Sequence, residues 1–433
     1  MKTSDAPPTD FTRRLVSDAP DSGHRAPCRL AVIGCGMRLG SYLRELPLDR
    51  DGGMRVVAMA DPDPDAIERY RGQFGLQRAR AFDSALTLFA AMGDEVDAVI
   101  IASSNTSHRE AMEPAVARRL PILLEKPVAT TLEDCVAMWR SYVNAGRPPL
   151  SMGFVLRYAP FYREVKQLID NGVLGRILTV QATEELDPSL TSHFMRQWRR
   201  FSSLAGPFIL EKCSHDLDIL TWLIGGKPET VSSFAARTRF VPDPQAAERC
   251  RDCAKASTCR YSVNLLPSYV IDPRSNAKVQ PIHRDDDLCV FNSEKDIPDH
   301  QVVNLRFDSG VLASFAATMD QPITTRTLKV QGTRGQLIGD IRRNEMKLIE
   351  HPGCGGRGAA VTDIQIVHDG SGHDGADSGI SREFADRLAG RDVAGAPGLR
   401  EGIEACVLAF AADASSRTGR VVDAGQLRKQ VFG

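Results

Sequence analysis

One lysine in the sequence stands where its side chain could act on a reacting hydroxyl group. Lys126 lies in the tripeptide Glu125-Lys126-Pro127, directly after the short apolar run Ile122–Leu124. An ammonium group at the end of a buried strand can hydrogen-bond a substrate oxygen and stabilise the alkoxide that forms as hydride leaves. The alternative is a solvated surface lysine, which is the ordinary environment of this residue type.

A histidine downstream has the spacing of an oriented proton acceptor. Apolar residues after position 216 recur at helical spacing, and the predicted helix ends at Gly225. Glu211, His215 and Asp218 fall on one face of this helix, so a carboxylate one turn away can orient the imidazole for proton transfer. The alternative is a polar helix face that meets solvent. We predict Lys126, His215 and Glu211 as the catalytic residues.

A glycine turn follows the first apolar run, Arg29–Ile33, and opens a helix. Gly34 and Gly36 would let the turn tighten and let backbone amides approach a pyrophosphate. The usual third glycine position holds Leu39, and Gly40 comes one residue late. Such a motif is weak by itself, but here it has the strand–turn–helix context that a dinucleotide site requires.

An acidic residue at the end of the second apolar run, Met54–Ala60, indicates which dinucleotide is bound. The Asp61 carboxylate suits the hydroxyls of an adenosine ribose and repels a 2′-phosphate, which favours NAD. Arg38 leaves NADP as an alternative cofactor. The structural alternative for Asp61 is that it caps a helix before Pro62. The predicted cofactor-binding residues are Gly34, Gly36, Met37, Arg38, Asp61, Ser103, Asn105, His108, Glu125 and Lys126, and the predicted substrate-binding residues are Arg157, Lys212 and His215.

The elements that must position these residues alternate between buried apolar runs and amphipathic helical stretches up to about residue 150. This alternation predicts βαβ units and a parallel sheet, with ligands beyond the carboxyl ends of the strands. The expected fold class is α/β: an N-terminal Rossmann domain at 28–149, then a C-terminal α+β domain at 150–433 with a large, open, mostly antiparallel sheet. Residues 1–27 are expected to be a disordered tail, and the Gly-rich stretch 351–377 a long mobile loop.

Three closely spaced cysteines lie in a polar insertion at about 242–299. Cys250, Cys253 and Cys259 have the spacing of a structural zinc site, for which Cys289 or His283 would be the fourth ligand. Reduced surface thiols are the alternative, and an iron–sulfur cluster is a further one.

Bulk composition excludes several classes of partner. The 433-residue chain has a net charge of −1, which gives no electrostatic reason to expect nucleic acid or an anionic membrane. The sequence has no apolar run long enough for a transmembrane helix, and its first residues lack the apolar stretch of a secretory signal. We therefore expect a cytoplasmic protein.

The glycine turn, the Glu-Lys-Pro tripeptide and the Glu211–Asp218 helix, in this order and spacing, resemble the Gfo/Idh/MocA family. The resemblance covers about residues 28–433 and includes Gly153-Phe154, Arg157-Tyr158 and the turn 332–335. The family usually has aspartate where this chain has Glu211. The resemblance implies that Lys126 and His215 form the catalytic pair.

The same resemblance implies NAD or NADP as cofactor and a secondary hydroxyl, or ketone, of a sugar, polyol or cyclitol as the reacting group. It also implies a homodimer or homotetramer formed through the open face of the C-terminal sheet. Two alternatives stay open. One is a cofactor-retaining enzyme that cleaves glycosides or eliminates a group, and the other is a non-catalytic NAD(P)-binding regulator. Intact Lys126 and His215 argue against the regulator.

Overall fold

The computed structural model describes residues 27–49, 53–263, 287–352, 358–391, 393 and 395–433. The strands in this part of the chain are β1 (Cys28–Ile33), β2 (Met54–Ala60), β3 (Arg80–Phe82), β4 (Ala98–Ile101), β5 (Ile122–Leu124), β6 (Leu150–Met152), β7 (Ile177–Leu186), β8 (Pro228–Ala236), β9 (His300–Phe307), β10 (Leu312–Met319), β11 (Thr325–Gly332), β12 (Gly335–Asp340), β13 (Glu345–Glu350), β14 (Ala360–Gln365) and β15 (Val422–Asp423). The helices are α1 (Met37–Glu45), α2 (Pro64–Phe74), α3 (Ala85–Met92), α4 (His108–Ala117), α5 (Leu132–Asn144), α6 (Pro160–Asp170), α7 (Pro188–Arg196), α8 (Ser202–Ala205), α9 (Phe208–Ile224), α10 (Gly372–Gly375), α11 (Asp377–Leu388), α12 (Leu399–Thr418) and α13 (Ala424–Phe432).

The N-terminal half builds a six-stranded parallel sheet in the order β3-β2-β1-β4-β5-β6. Every residue of β4 and β5 is buried, as expected for strands covered by helices on both faces. The order reverses between β1 and β4, so the loops after these two strands form the crevice where ligands bind in such sheets. The Rossmann prediction is confirmed. The sixth strand, β6, lies beyond residue 149, where we expected the domain to end.

The C-terminal half forms a separate nine-stranded sheet in the order β14-β13-β12-β11-β7-β10-β9-β8-β15. It is open and mostly antiparallel, as predicted, although β7 and β10 pair in parallel. Buried and exposed residues alternate along β9, because one face packs on the core and the other is uncovered. Helices α9 and α12 pack against each other, and both contact strands of this sheet. This packing places the residues of α9 beside the Rossmann domain.

The predicted long loop at 351–377 is wrong in its described part. Strand β14 pairs with β13 in antiparallel register. The short element α10, in which His373 and Asp374 depart from helical backbone angles, is followed by α11. The pattern was hidden because glycines break up the apolar periodicity in this stretch. The tail at 1–26 and His283 lie outside the described residues. No helix within the described ranges is long and apolar enough to cross a membrane.

Candidate active site

The glycine turn between β1 and α1 is shaped by a close backbone approach. Gly34 has a φ of +90°, and a Cβ there would lie 2.5 Å from the carbonyl carbon of Ala102. Only glycine tolerates both constraints, so β1 and the loop after β4 can come together at the crevice. Gly40 supplies the close packing expected of the third glycine. Its N–H donates to the hydroxyl of Tyr70 at 3.0 Å, and that hydroxyl donates to the carbonyl of Gly36 at 2.6 Å.

The start of α1 fits the pyrophosphate of a dinucleotide. Gly36 and Met37 are exposed, and a Cβ at Gly36 would meet no atom within 4 Å. No side chain caps this end of α1, and its first turn holds no acidic residue. The first amides of a helix have no partner within the helix and carry its positive end. The turn therefore offers open space and free donors to an anion.

Asp61 lies beside this turn at the end of β2. One carboxylate oxygen accepts the N–H of Cys35 at 2.7 Å, and the other accepts the N–H of Asp63 at 2.9 Å. These two bonds orient the carboxylate toward the side of the crevice where the adenosine of a dinucleotide would lie. The position predicted for a ribose-binding carboxylate is thus occupied by a side chain with a fixed orientation.

Arg38 points away from Asp61 toward the other half of the molecule. Its Nε donates to Glu125 at 2.6 Å, and its Nη1 donates to Asp377 of α11 at 2.6 Å. The guanidinium also lies over the ring of Tyr42, whose hydroxyl donates to Glu125. A guanidinium shared by two carboxylates is not placed to receive a 2′-phosphate beside Asp61.

Three predicted cofactor-binding side chains near the ends of β4 and β5 have partners in the protein. The amide of Asn105 donates to Glu211 at 2.7 Å and to the carbonyl of Ala205 at 2.9 Å. His108 is fully buried, with Nδ1 2.8 Å from the carbonyl oxygen of Pro127. Glu125 accepts from Arg38 and from the N–H of Lys126. These side chains hold the crevice together, whereas Ser103 lies partly exposed in it.

Lys126 lies just after β5 and against α9, and its peptide bond to Pro127 is cis. Its Nζ donates to the carbonyl oxygen of Glu211 at 2.6 Å and lies 3.8 Å from the Glu211 carboxylate. Burial lowers the pKa of Lys126, and the carboxylates of Glu211 and Glu125 oppose that effect. The ammonium is thus held at the crevice by the residue predicted to orient the histidine.

The predicted contact between Glu211 and His215 is wrong. The Glu211 carboxylate accepts from Arg199 at 2.6 Å and from Asn105, and it faces Lys126. Nδ1 of His215 is buried without a hydrogen-bond partner, and the edge of Phe154 packs on the ring at 5.8 Å. The partners of Glu211 come from other segments of the chain, so helical register alone could not predict them.

His215 is nevertheless surrounded by cations. Burial lowers the pKa of His215 well below 6.5. The positive charges of four nearby side chains act in the same direction, and these are Lys126, Arg326, His373 and Arg38. The imidazole is therefore neutral at ordinary pH and able to accept a proton.

Two predicted substrate-binding side chains are held in buried ion pairs. Arg157 makes a two-bond contact with Asp218, at 2.7 and 2.6 Å, which ties the Phe154–Tyr158 turn to α9. Nζ of Lys212 lies 2.7 Å from Glu184 on β7. Arg326 also binds Glu184, and its Nε donates to Asp216 at 2.8 Å. These pairs fix α9 on the sheet and leave neither cation free for a ligand.

The zinc prediction is not supported. Cys250, Cys253, Cys259 and Cys289 do line one small cavity of about 30 Å³. Across the part of the chain that the structure describes, however, no group of three or more His, Cys, Asp or Glu is placed to hold a metal ion. Nη2 of Arg196 lies 3.6 Å from the Cys250 sulfur, and a guanidinium there repels a second cation.

Comparisons with known proteins agree with this architecture. The family described as "Oxidoreductase family, NAD-binding Rossmann fold" matches residues 28–154, and its "C-terminal alpha/beta domain" matches residues 166–424. Inositol 2-dehydrogenase 2 of Saccharopolyspora erythraea is 30% identical over 219 residues, which are 50% of this chain and 59% of that protein. The match thus spans less than two thirds of that relative.

Solved structures show the same fold over nearly the whole chain. Levoglucosan dehydrogenase in complex with NADH has a TM-score of 0.70 at 19% identity, covering 92% of this chain and 99% of that one. An oxidoreductase from Agrobacterium radiobacter, in complex with NAD+, L-tartaric acid and magnesium, has a TM-score of 0.67 at 19% identity, covering 93% and 100%. The N-terminal half is an NAD-binding Rossmann domain, and the chain belongs to the Gfo/Idh/MocA oxidoreductase family.

Proposed function

We propose that this protein is an NAD-dependent oxidoreductase that transfers hydride between the nicotinamide and a secondary hydroxyl or ketone of a sugar, polyol or cyclitol. One observation carries the proposal. A partly buried lysine at the end of a Rossmann strand contacts a helix of the C-terminal domain that carries a buried histidine. A hydroxyl placed between the two residues would contact a cation, Lys126, and a proton acceptor, His215.

The protein groups have separate tasks in this reaction. NAD, when bound at the glycine turn, supplies the hydride acceptor. Lys126 stabilises the developing alkoxide, because a cation in a buried site acts strongly on a nearby negative charge. His215 takes the hydroxyl proton through Nε2, since its Nδ1 is turned into the protein. Glu211 positions the ammonium of Lys126 and balances its charge.

The substrate class rests on the relatives and on the lining of the crevice. A relative is named for inositol and a structural neighbour for levoglucosan, so both act on compounds with several hydroxyl groups. The side chains that meet in this crevice are charged or polar, which suits a ligand recognised through its hydroxyls. An apolar alcohol fits these residues less well.

We further propose NAD over NADP, because Asp61 is fixed beside the turn and Arg38 is engaged elsewhere. A homodimer or homotetramer through the C-terminal sheet is supported by its uncovered face. Phe234 is 66% exposed there and pairs with the exposed Val302 across β8 and β9. Leu312, also exposed on this sheet, lines a groove of about 430 Å³. The cytoplasmic location expected from the sequence stays a proposal.

The proposal is tested by a screen of cyclitols, sugars, polyols and their keto forms with NAD+ or NADH, following absorbance of the reduced cofactor. We expect accumulation of NADH in step with oxidised product for at least one cyclitol or sugar. A substrate that is consumed with no net NADH, while bound cofactor is required, would instead indicate the cofactor-retaining alternative. Absence of turnover with every member of the panel would contradict the proposed function.

A further inference from the structure

A second histidine reaches the crevice from the segment before α11. His373 and Asp374 have φ values of +52° and +55°, which is the left-handed region that side chains other than glycine rarely adopt. Such residues persist only where their surroundings hold them, and they concentrate at functional sites. Close packing holds this segment. A Cβ at Gly379 of α11 would lie 2.6 Å from Cβ of Tyr158, so α11 sits directly on the turn that precedes α6.

The imidazole of His373 is oriented by a carboxylate. Its Nδ1 lies 3.0 Å from Asp377 Oδ1, and Nη1 of Arg38 donates to the same oxygen. Burial raises the pKa of Asp377, but the charges of Arg38 and His373 outweigh this and hold it well below its ordinary value. Asp377 is therefore an anion within hydrogen-bond distance of Nδ1 of His373. The other ring nitrogen, Nε2, belongs to a side chain that is 43% exposed and can hydrogen-bond a ligand.

His373 lies on the same side of the crevice as the proposed catalytic residues. Arg38 connects it to Glu125, and Glu125 accepts from the N–H of Lys126 at 2.9 Å. Nδ1 of His373 also lies 3.3 Å from Nη1 of Arg38 itself. His215 lacks a carboxylate partner, whereas His373 has one.

We propose that His373 is a substrate-binding residue whose Nε2 makes a hydrogen bond with a hydroxyl of the polyol or sugar next to the reacting one. Asp377 positions the imidazole, and Arg38 joins this pair to the cofactor turn. The inference rests on the proposed function, because the ligand is the substrate of that reaction.

The test compares His373→Asn with the exposed control His351→Ala, using the best substrate of the screen and an analogue that lacks one neighbouring hydroxyl. Asparagine tolerates the left-handed backbone and keeps a donor for Asp377, but it has no group in the place of Nε2. We expect the KM of His373→Asn for the substrate to rise about tenfold, as for one lost hydrogen bond, with kcat less affected. We also expect the variant to lose most of the preference for substrate over analogue.

Kd for NAD+ and the melting temperature should stay close to wild type in both variants. An unchanged KM and an unchanged preference over the analogue would overturn the role of His373 while leaving the proposed function in place. A raised Kd for NAD+ with normal substrate preference would also overturn it, because His373 would then serve the cofactor turn through Arg38. A wild-type enzyme with no activity toward any hydroxylated compound would remove both proposals.

Discussion

Lys126 and Glu211 form a buried pair whose two members should contribute very differently to stability. We compare Lys126→Met with Glu211→Gln. At 3.8 Å the Coulomb energy of the pair is about 4 kcal/mol for an effective dielectric constant of about 20. Burying an ammonium costs several kcal/mol of desolvation free energy. Removing Lys126 recovers this desolvation cost, which is similar in size to the Coulomb energy that is lost with the pair. Glu211 keeps Arg199 and Asn105 as partners in that variant.

Glu211→Gln has no such compensation. It leaves Lys126 and Arg199 as partly buried cations without their shared anion. The new amide nitrogen must also face a donor on Arg199 or Asn105. Breaking a buried pair in this way typically costs about 3–5 kcal/mol. We therefore expect Lys126→Met to change the free energy of unfolding by no more than about 1–2 kcal/mol while lowering turnover by at least about 10²-fold.

The assay is denaturant unfolding followed by fluorescence, together with turnover of the substrate found by the screen. The control is Lys347→Met, which removes one member of an exposed pair with Asp363 and should cost at most about 1 kcal/mol. A loss of stability in Lys126→Met as large as that in Glu211→Gln would refute the reasoning, because the buried ammonium would then be a net stabilising group.

Three further predictions follow from the site and the sheet. Asp61→Ser should raise the Kd for NAD+ about tenfold in calorimetry, because the hydrogen bonds to the ribose are lost. The Kd for NADP+ should not rise. A preference of the wild-type protein for NADP+ would show that the Asp61 assignment is wrong. Burial and neighbouring cations lower the pKa of His215, so its neutral form persists below pH 6.5. The acid limb of kcat/KM that belongs to His215 should therefore lie below that pH and be absent in His215→Asn; a limb unaffected by this substitution contradicts the proton-acceptor role. Phe234→Lys should lower the molar mass measured by light scattering from that of the oligomer to that of the monomer. The control Leu86→Lys, at an exposed position of α3, should leave the mass unchanged. An unchanged mass in Phe234→Lys would exclude this face as the interface.

The sequence allowed prediction of what depends on local periodicity. The strand ends that carry Gly34, Asp61 and Lys126 could be placed at one edge of a sheet, because parallel strands end together. The helix of His215 followed from its apolar spacing, and the open antiparallel sheet from its hairpin turns. These features need only neighbours in the chain.

Long-range partners could not be predicted in this way. Arg38 binds Asp377, 339 positions away, and no local pattern indicates that contact. Helical register placed Glu211 on the face of His215, but the side chain turns to Arg199 and Asn105 instead. His373 was not predicted as a site residue, because it lies in a Gly-rich stretch whose composition indicates a loop. Its left-handed conformation depends on tertiary packing.

The course of the Arg38 side chain constrains any redesign of this enzyme for a different coenzyme. Binding of NADP would require a cation beside the adenosine to contact the 2′-phosphate. Arg38 lies in the glycine turn, but moving its side chain there would break its hydrogen bonds to Glu125 and Asp377. The positive charge has to come from another residue. Pro62 and Asp63 immediately follow Asp61, and Pro62 is exposed, so this short stretch is where a basic side chain could be introduced without disturbing the opposite wall of the crevice.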